Sequence, residues 1–204
     1  KYFGVLTKLF NVARFASQFE IPSDLDTNPG NLDVEDRWIL AEFDATMETV
    51  RTSWENLDIY TATQALKTFG TGVLPSHYLE MVKSRLYDED KAAAWTLHRI
   101  VRDFMSAFTP VCPFFTHHIS ETLYNRSSVD IDAFPQTADA SVALGTEDGD
   151  QLRNLSSLLQ TFNGDTWNTK KEQGISLNQP ITGLEIPEAL AEFTAILTRM
   201  HHLE

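Results

Sequence analysis

The sequence predicts a mainly α protein: an antiparallel helical bundle with a small α/β appendage at its C-terminal end. Three observations carry this expectation. Apolar residues recur at three- and four-residue spacing through most of the first 125 positions, the period of a helix with one buried face. The connections between these stretches are short and rich in Asp, Asn, Gly and Pro, which turns successive helices back on one another. One later stretch, "GISLNQPITGLEI", reads instead as two short strands around a turn.

The first helix covers "TKLFNVARFASQF". Val5, Leu6, Leu9, Phe10, Val12, Ala13, Ala16 and Phe19 fall on one broad apolar side, and Lys8, Asn11, Arg14, Phe15 and Gln18 on the other. After the turn-rich "IPSDLDTNPGNLD", Asp33 is placed to cap a second helix, with Glu35 and Asp36 favourable in its first turn. That helix carries Trp38, Ile39, Phe43, Met47, Val50 and Trp54 at core spacing. Asp58 caps a third, which "GTGVLP" interrupts with a kink or break before the pattern resumes as "SHYLEMVKSRLY". "DED" starts a fourth helix through Trp95, Leu97, Ile100, Val101, Phe104 and Phe108. Pro110 and Pro113 bracket a turn, and "FFTHHISETLY" forms a fifth.

The expected organisation is therefore a bundle over residues 1–125, an acidic small-residue loop over 126–150, and an appendage over 151–202. The appendage comprises a helix, the two short strands and a last helix opened by Pro187. Residues 203–204, "LE", read as a scar of a purification tag, and Lys1, apparently inside a helix, reads as the start of an excised fragment.

Composition narrows the function. A chain of 204 residues, 42% hydrophobic, can bury a substantial core. The lone Cys112 excludes a disulfide framework and suits a reducing cytoplasm. No apolar run reaches the roughly 18 residues of a membrane span. A net charge of −13 argues against broad affinity for nucleic acid. The distribution is uneven, however: no acid precedes Glu20, while Lys1, Lys8 and Arg14 do. Further bases cluster at Lys83 and Arg85 and at Arg99 and Arg102.

No catalytic centre is expected. There is no glycine-rich phosphate loop after a strand and no serine in a nucleophile elbow. His117 and His118 are adjacent, so a helix points them about 100° apart, and no metal site is expected. One ridge of the first helix has more promise. Lys8, Asn11 and Phe15, three and four residues apart, set a cation, a two-way amide and a flat ring in a row. Those groups match a phosphate, a base edge and a base face. The alternative is that a second helix covers Phe15 and the ridge is core.

Four blocks in order, "TKLFNVARF", "DRWIL", "YLEMVKSRLY" and "FTPVCPFFTHHISETLY", resemble the anticodon-binding helical domain of class I aminoacyl-tRNA synthetases, most closely the valyl branch. The resemblance spans roughly residues 4–125, with a weaker likeness at "KKEQGISLNQPI". Phe10 and Val12 stand where the family usually has tryptophan and alanine, and "GTGVLP" replaces a more continuous helix. The resemblance implies that Lys8, Asn11, Arg14 and Phe15 face the tRNA anticodon. Arg37, Lys83 and Arg85 are further candidates for the tRNA backbone.

It also implies an upstream catalytic domain in the same chain, a monomer in the cytoplasm, and a full enzyme joining valine to its tRNA with ATP and Mg. This fragment would lack the nucleotide motifs, need no cofactor of its own and have no membrane partner. Two rivals stand beside this reading. One is the same domain of an isoleucyl enzyme, against which "YLEMVK" weighs. The other is a helical protein-interaction module without an RNA role.

Overall fold

The computed structural model describes residues 3–126, 134–135 and 146–204. Helices α1 (Phe3–Ala16), α2 (Val34–Glu55), α3 (Ile59–Thr68), α4 (Leu79–Tyr87), α5 (Lys91–Phe108) and α6 (Pro113–Tyr124) form the bundle. Helix α7 (Thr146–Glu172), a 3-10 turn (Glu188–Phe193) and α8 (Thr194–His201) complete the fold. The predicted start signals operate as expected. Asp58 accepts the amide of Thr61, and Asp90 accepts those of Ala92 and Ala93. At α2, Asp36 accepts the amide of the N-cap residue Asp33, half of a capping box.

Among the described residues the core forms a single cluster. Leu9, Val12, Ala13 and Ala16 of α1 meet Trp38, Ile39, Met47 and Val50 of α2 and Leu97, Ile100, Val101 and Phe104 of α5. The buried stripe of α1 thus runs 9, 12, 13, 16. Phe10, expected on the apolar side, lies about 100° from Leu9, off that stripe, and is 44% exposed.

No break occurs at "GTGVLP". Residues Phe69–Tyr78 form a π-helical segment that carries α3 into α4, closed by the amide of Leu79 bonding to the carbonyl of Leu74, five residues back. Two residues make the wide turn possible. A Cβ at Gly70 would sit 2.5 Å from the Phe104 ring and 2.8 Å from a Leu9 methyl, so only glycine lets this backbone reach α1 and α5. Pro75 has no N–H for the carbonyl of Thr71, its partner in an α-helical register. Lys8 Nζ donates to that carbonyl at 3.1 Å.

The expected strands are not formed. Among the described residues the only β pairing is an isolated parallel bridge between Ile181 and Leu203. Gly174, Pro180, Gly183 and Pro187 leave no run long enough for a ladder. Instead, the fully buried Lys170 of α7 donates to the carbonyls of Leu177 and Gln179, at 2.7 and 2.6 Å, and pins the segment as a loop. Nor is this part held apart from the bundle: Leu152, Leu159, Leu190, Phe193, Ile196 and Leu197 join the same buried cluster. The acidic stretch 126–150 lies mostly outside the described residues, and residues 146–150 already belong to α7. No described helix is long and apolar enough to cross a membrane.

Candidate functional site

Helix α1 and the π-to-α4 segment lie side by side, and their facing ridges leave a cleft of about 320 Å³. Lys8, Asn11, Val12 and Phe15 line it from α1; Pro75, Ser76, Leu79, Glu80 and Lys83 line it from the other wall. Spacing explains both walls. Residues 8, 11 and 15 share one face of α1, and residues 76, 79, 80 and 83 share one face of the opposing helix. The wide π turn sets the second wall, since it re-phases α4 relative to α3.

Three of the four expected α1 residues therefore converge. Lys8 and Asn11 are exposed. Phe15 is half-buried: its ring packs edge-on against Phe19, centroids 5.0 Å apart, and against Tyr87 at 6.4 Å. It is thus neither core nor free, but a half-buried ring in T-shaped contact with two other rings beside the cleft. Arg14 is exposed in the last turn of α1, outside the cleft lining, and its guanidinium has no partner among the described residues.

The three outlying candidates separate. Lys83 lines the cleft and pairs with Glu80 at 2.6 Å, both side chains more than 40% exposed. Arg85, two residues on, is the correction: it is 7% exposed and enclosed by Asp33, Glu35, Asp36 and Asp90, at 3.1, 2.8, 2.7 and 2.9 Å. Tyr78 donates to Asp36 at 2.7 Å, completing the cluster. Burial pushes the Asp36 carboxyl up to about 6 despite Arg85, and burial together with Asp36 lifts the Tyr78 phenol well above its usual value. Such an arginine has no face for a phosphate; it joins α4 to the start of α2. Arg37 is likewise engaged, bonding both oxygens of Asp148 on α7, at 2.8 and 2.9 Å, and Glu192 at 3.5 Å. It clips the C-terminal elements to α2. Arg99 and Arg102 are bound to Asp26 and Asp103.

A second polar cluster joins the π segment to α7 and α8. Asn163 accepts from Nε2 of the buried His201 at 2.8 Å and faces Nδ1 of His77 at 3.3 Å. Burial, and secondarily Lys170, His202 and His77, holds His201 down at about 4, and burial also lowers His77. Among the described residues no group of three His, Cys, Asp or Glu side chains is placed to hold a metal. Sequence reasoning missed Glu80 and Lys170; the available signal was the four-residue spacing Ser76–Glu80 and three-residue spacing Glu80–Lys83 on the "YLEMVK" helix.

The model of the anticodon-binding domain of tRNA ligases matches residues 36–186. The chain belongs to this family. It is 31% identical over 189 residues to the valine--tRNA ligase of Aeropyrum pernix, covering 88% of this chain and 22% of that one. It is 30% identical over 200 residues to the valine--tRNA ligase of Haloarcula marismortui (97% and 21%). The enzyme of the same name from Saccharolobus solfataricus is 29% identical over 179 residues (87% and 20%). The chain thus spans about a fifth of the length of these relatives. The family match extends past residue 125 to include all of α7 and the loop that Lys170 pins.

Proposed function

We propose that this chain reads the anticodon of a valine-accepting tRNA, as part of a valine–tRNA ligase whose remaining portion, upstream in the same polypeptide, joins valine to that tRNA using ATP and Mg. The observation that carries the reading is the cleft itself. In a chain of the anticodon-binding family, it gathers two cations, an amide and a half-buried aromatic ring on rigid helices. Single-stranded RNA loops are read by such sets, with bases splayed out, stacked on rings and bonded at their edges. Phe15 offers the stacking face, Asn11 the edge contact, and Lys8 and Lys83 the charge. Arg14 stands at the rim, free to grip a phosphate or stack on a base. The helices of residues 3–126 carry this surface, and α7, the 3-10 turn and α8 brace it. The protein works as a cytoplasmic monomer in this reading.

The test is binding of the chain to valine-accepting tRNA and to a transcript with a changed anticodon, across a salt series. Preference for the valine anticodon supports the reading. Arg14→Ala should weaken binding and lower the slope of log affinity against log salt by roughly 0.7–0.9, the loss of one phosphate contact. Equal or better binding of isoleucine-accepting tRNA would overturn the valine assignment. Salt-independent or absent RNA binding would favour an interaction module.

A further inference from the structure

The loop after α1 and the turn from α4 into α5 enclose a cavity of about 480 Å³ that shares no lining residue with the cleft. Its apolar walls include Phe19, Pro22, Pro29, Leu86 and Trp95. Its charged lining is four carboxylates, Glu20, Asp24, Glu89 and Asp90, against the single ammonium of Lys91. We propose that this cavity binds a small organic ammonium ion with an aromatic body.

The walls argue for the body and the acids for the charge. Cavities of roughly 300–1,000 Å³ with mostly apolar walls and a few convergent polar groups are the usual seats of small molecules. Phe19 and Trp95 supply aromatic surface, which packs against a ring and attracts a cation. Trp95 is 3% exposed, and its Nε1–H is a buried donor without a hydrogen-bond partner among the described residues. Most buried donors in folded proteins are paired, so the indole has capacity left for an acceptor on the guest. The acids divide by what the fold already asks of them. Asp24 accepts the amides of Asp26 and Thr27, and Asp90 caps α5 and bonds Arg85. Glu20 and Glu89 are exposed and have no side-chain hydrogen bond or ion pair among the described residues.

Glu89 is also an unusual residue for its place. Its φ is 60°, its amide bonds the carbonyl of Leu86, and the amide of Asp90 bonds that of Arg85. This is the helix ending that favours glycine, because any Cβ there is strained. The chain keeps a glutamate at that position, and the glutamate lines the cavity. An anion entering here would meet like charge, whereas a cation meets two carboxylates that the fold has not used. A phosphate-bearing guest is therefore unsuited to this cavity, in contrast to the cleft.

Tyramine, an aromatic ring with a hydroxyl acceptor and an ammonium, is the probe. Titrated into the chain, it should shift the indole N–H resonance of Trp95, identified by its loss in Trp95→Phe. The shift should saturate with Kd on the order of a millimolar or tighter, as suits so small a ligand. The same body carrying a carboxylate, 3-(4-hydroxyphenyl)propionate, should bind at least about tenfold more weakly, since like charges would meet. The double variant Glu20→Gln, Glu89→Gln should weaken tyramine by about three- to tenfold, the loss of two exposed ion pairs. Should that variant not fold, the comparison of the two probes decides alone. Equal binding of the two probes, no saturable shift of Trp95, or undiminished affinity in the folded double variant overturns the proposal. None of these outcomes bears on the tRNA reading, because the two sites share no residue.

Discussion

Lys83 and Arg85 stand two residues apart on one helix, yet they belong to opposite kinds of site. Lys83 faces an open cleft with one glutamate for company, and Arg85 faces inward to four carboxylates and is 7% exposed. A helix turns about 200° between them, which takes one to the open cleft and the other to the core. The same division runs through the protein. Arg37, Arg99, Arg102 and Lys170 are occupied by the chain's own carboxylates and carbonyls, whereas Lys8, Arg14 and Lys83 remain on the surface. On the proposed reading, a molecule with net charge −13 would meet a polyanion through the cations left at its surface rather than those enclosed by its own acids.

The sharpest way to break that contrast is Arg85→Met. Removing one partner from a buried ion cluster leaves uncompensated charge and costs about 3–5 kcal/mol. Chemical denaturation should show that loss. A change under about 1 kcal/mol would mean that Arg85 is no more structural than Lys83. The second expected effect lies where the cleft wall is shaped. Gly70→Ala drives a methyl into Phe104 and Leu9 and should cost about 1–3 kcal/mol. Gly72→Ala meets nothing within 4 Å and should be neutral or stabilise by up to about 1 kcal/mol.

The third concerns the other sealed cluster. His201 is held neutral in the fold at about 4, against 6.5 when free. Between those values the unfolded chain binds the extra proton, so stability falls as pH drops from about 6.5 towards 4, by about 2–3 kcal/mol. Asp36 acts with the opposite sign: raised to about 6, it binds its proton more readily in the fold and adds stability as pH falls through 6 towards 3.8. His201→Gln should remove the histidine's share, so that its denaturation midpoint declines less on acidification than that of the wild type. Equal slopes in both proteins would exclude His201 as the source.

The fold was legible where local chemistry decides it. The cap Asp58, the helix start at "DED" and the stripes of α2 and α5 follow from spacing and side-chain type, and the structure contains them as expected, with Asp90 as the capping member of "DED". What was not legible depends on partners distant in sequence. "GTGVLP" reads as a kink or break until Leu9 and Phe104 are seen to need Gly70, and "GISLNQPITGLEI" reads as two strands until Lys170 is seen to take the carbonyls of Leu177 and Gln179. In the candidate site, the ridge of α1 was visible from a single helix. The opposing wall was not, because Pro75, Ser76 and Glu80 gain meaning only when α4 is brought beside α1. Arg85 misled for the same reason: a basic residue on an amphipathic helix looks solvated until the acids of another helix close over it.

The smallest effect on stability should accompany a clear effect on binding, and this pairing tests the contrast most directly. Lys83→Met breaks an exposed i,i+3 pair with Glu80, an interaction that contributes about 0.2–1 kcal/mol. Lys8→Met removes one exposed donor from the Thr71 carbonyl, which solvent can replace, and should cost no more than about 1 kcal/mol. Neither variant should move the denaturation midpoint as Arg85→Met does. Each should nevertheless lower the salt slope of tRNA binding by roughly 0.7–0.9, and the double variant by about twice that, because distant phosphate contacts act independently. If instead both variants lose stability without changing the salt slope, the cleft cations serve the fold as Arg85 does, and Lys8 is chiefly the substitute for the N–H that Pro75 lacks.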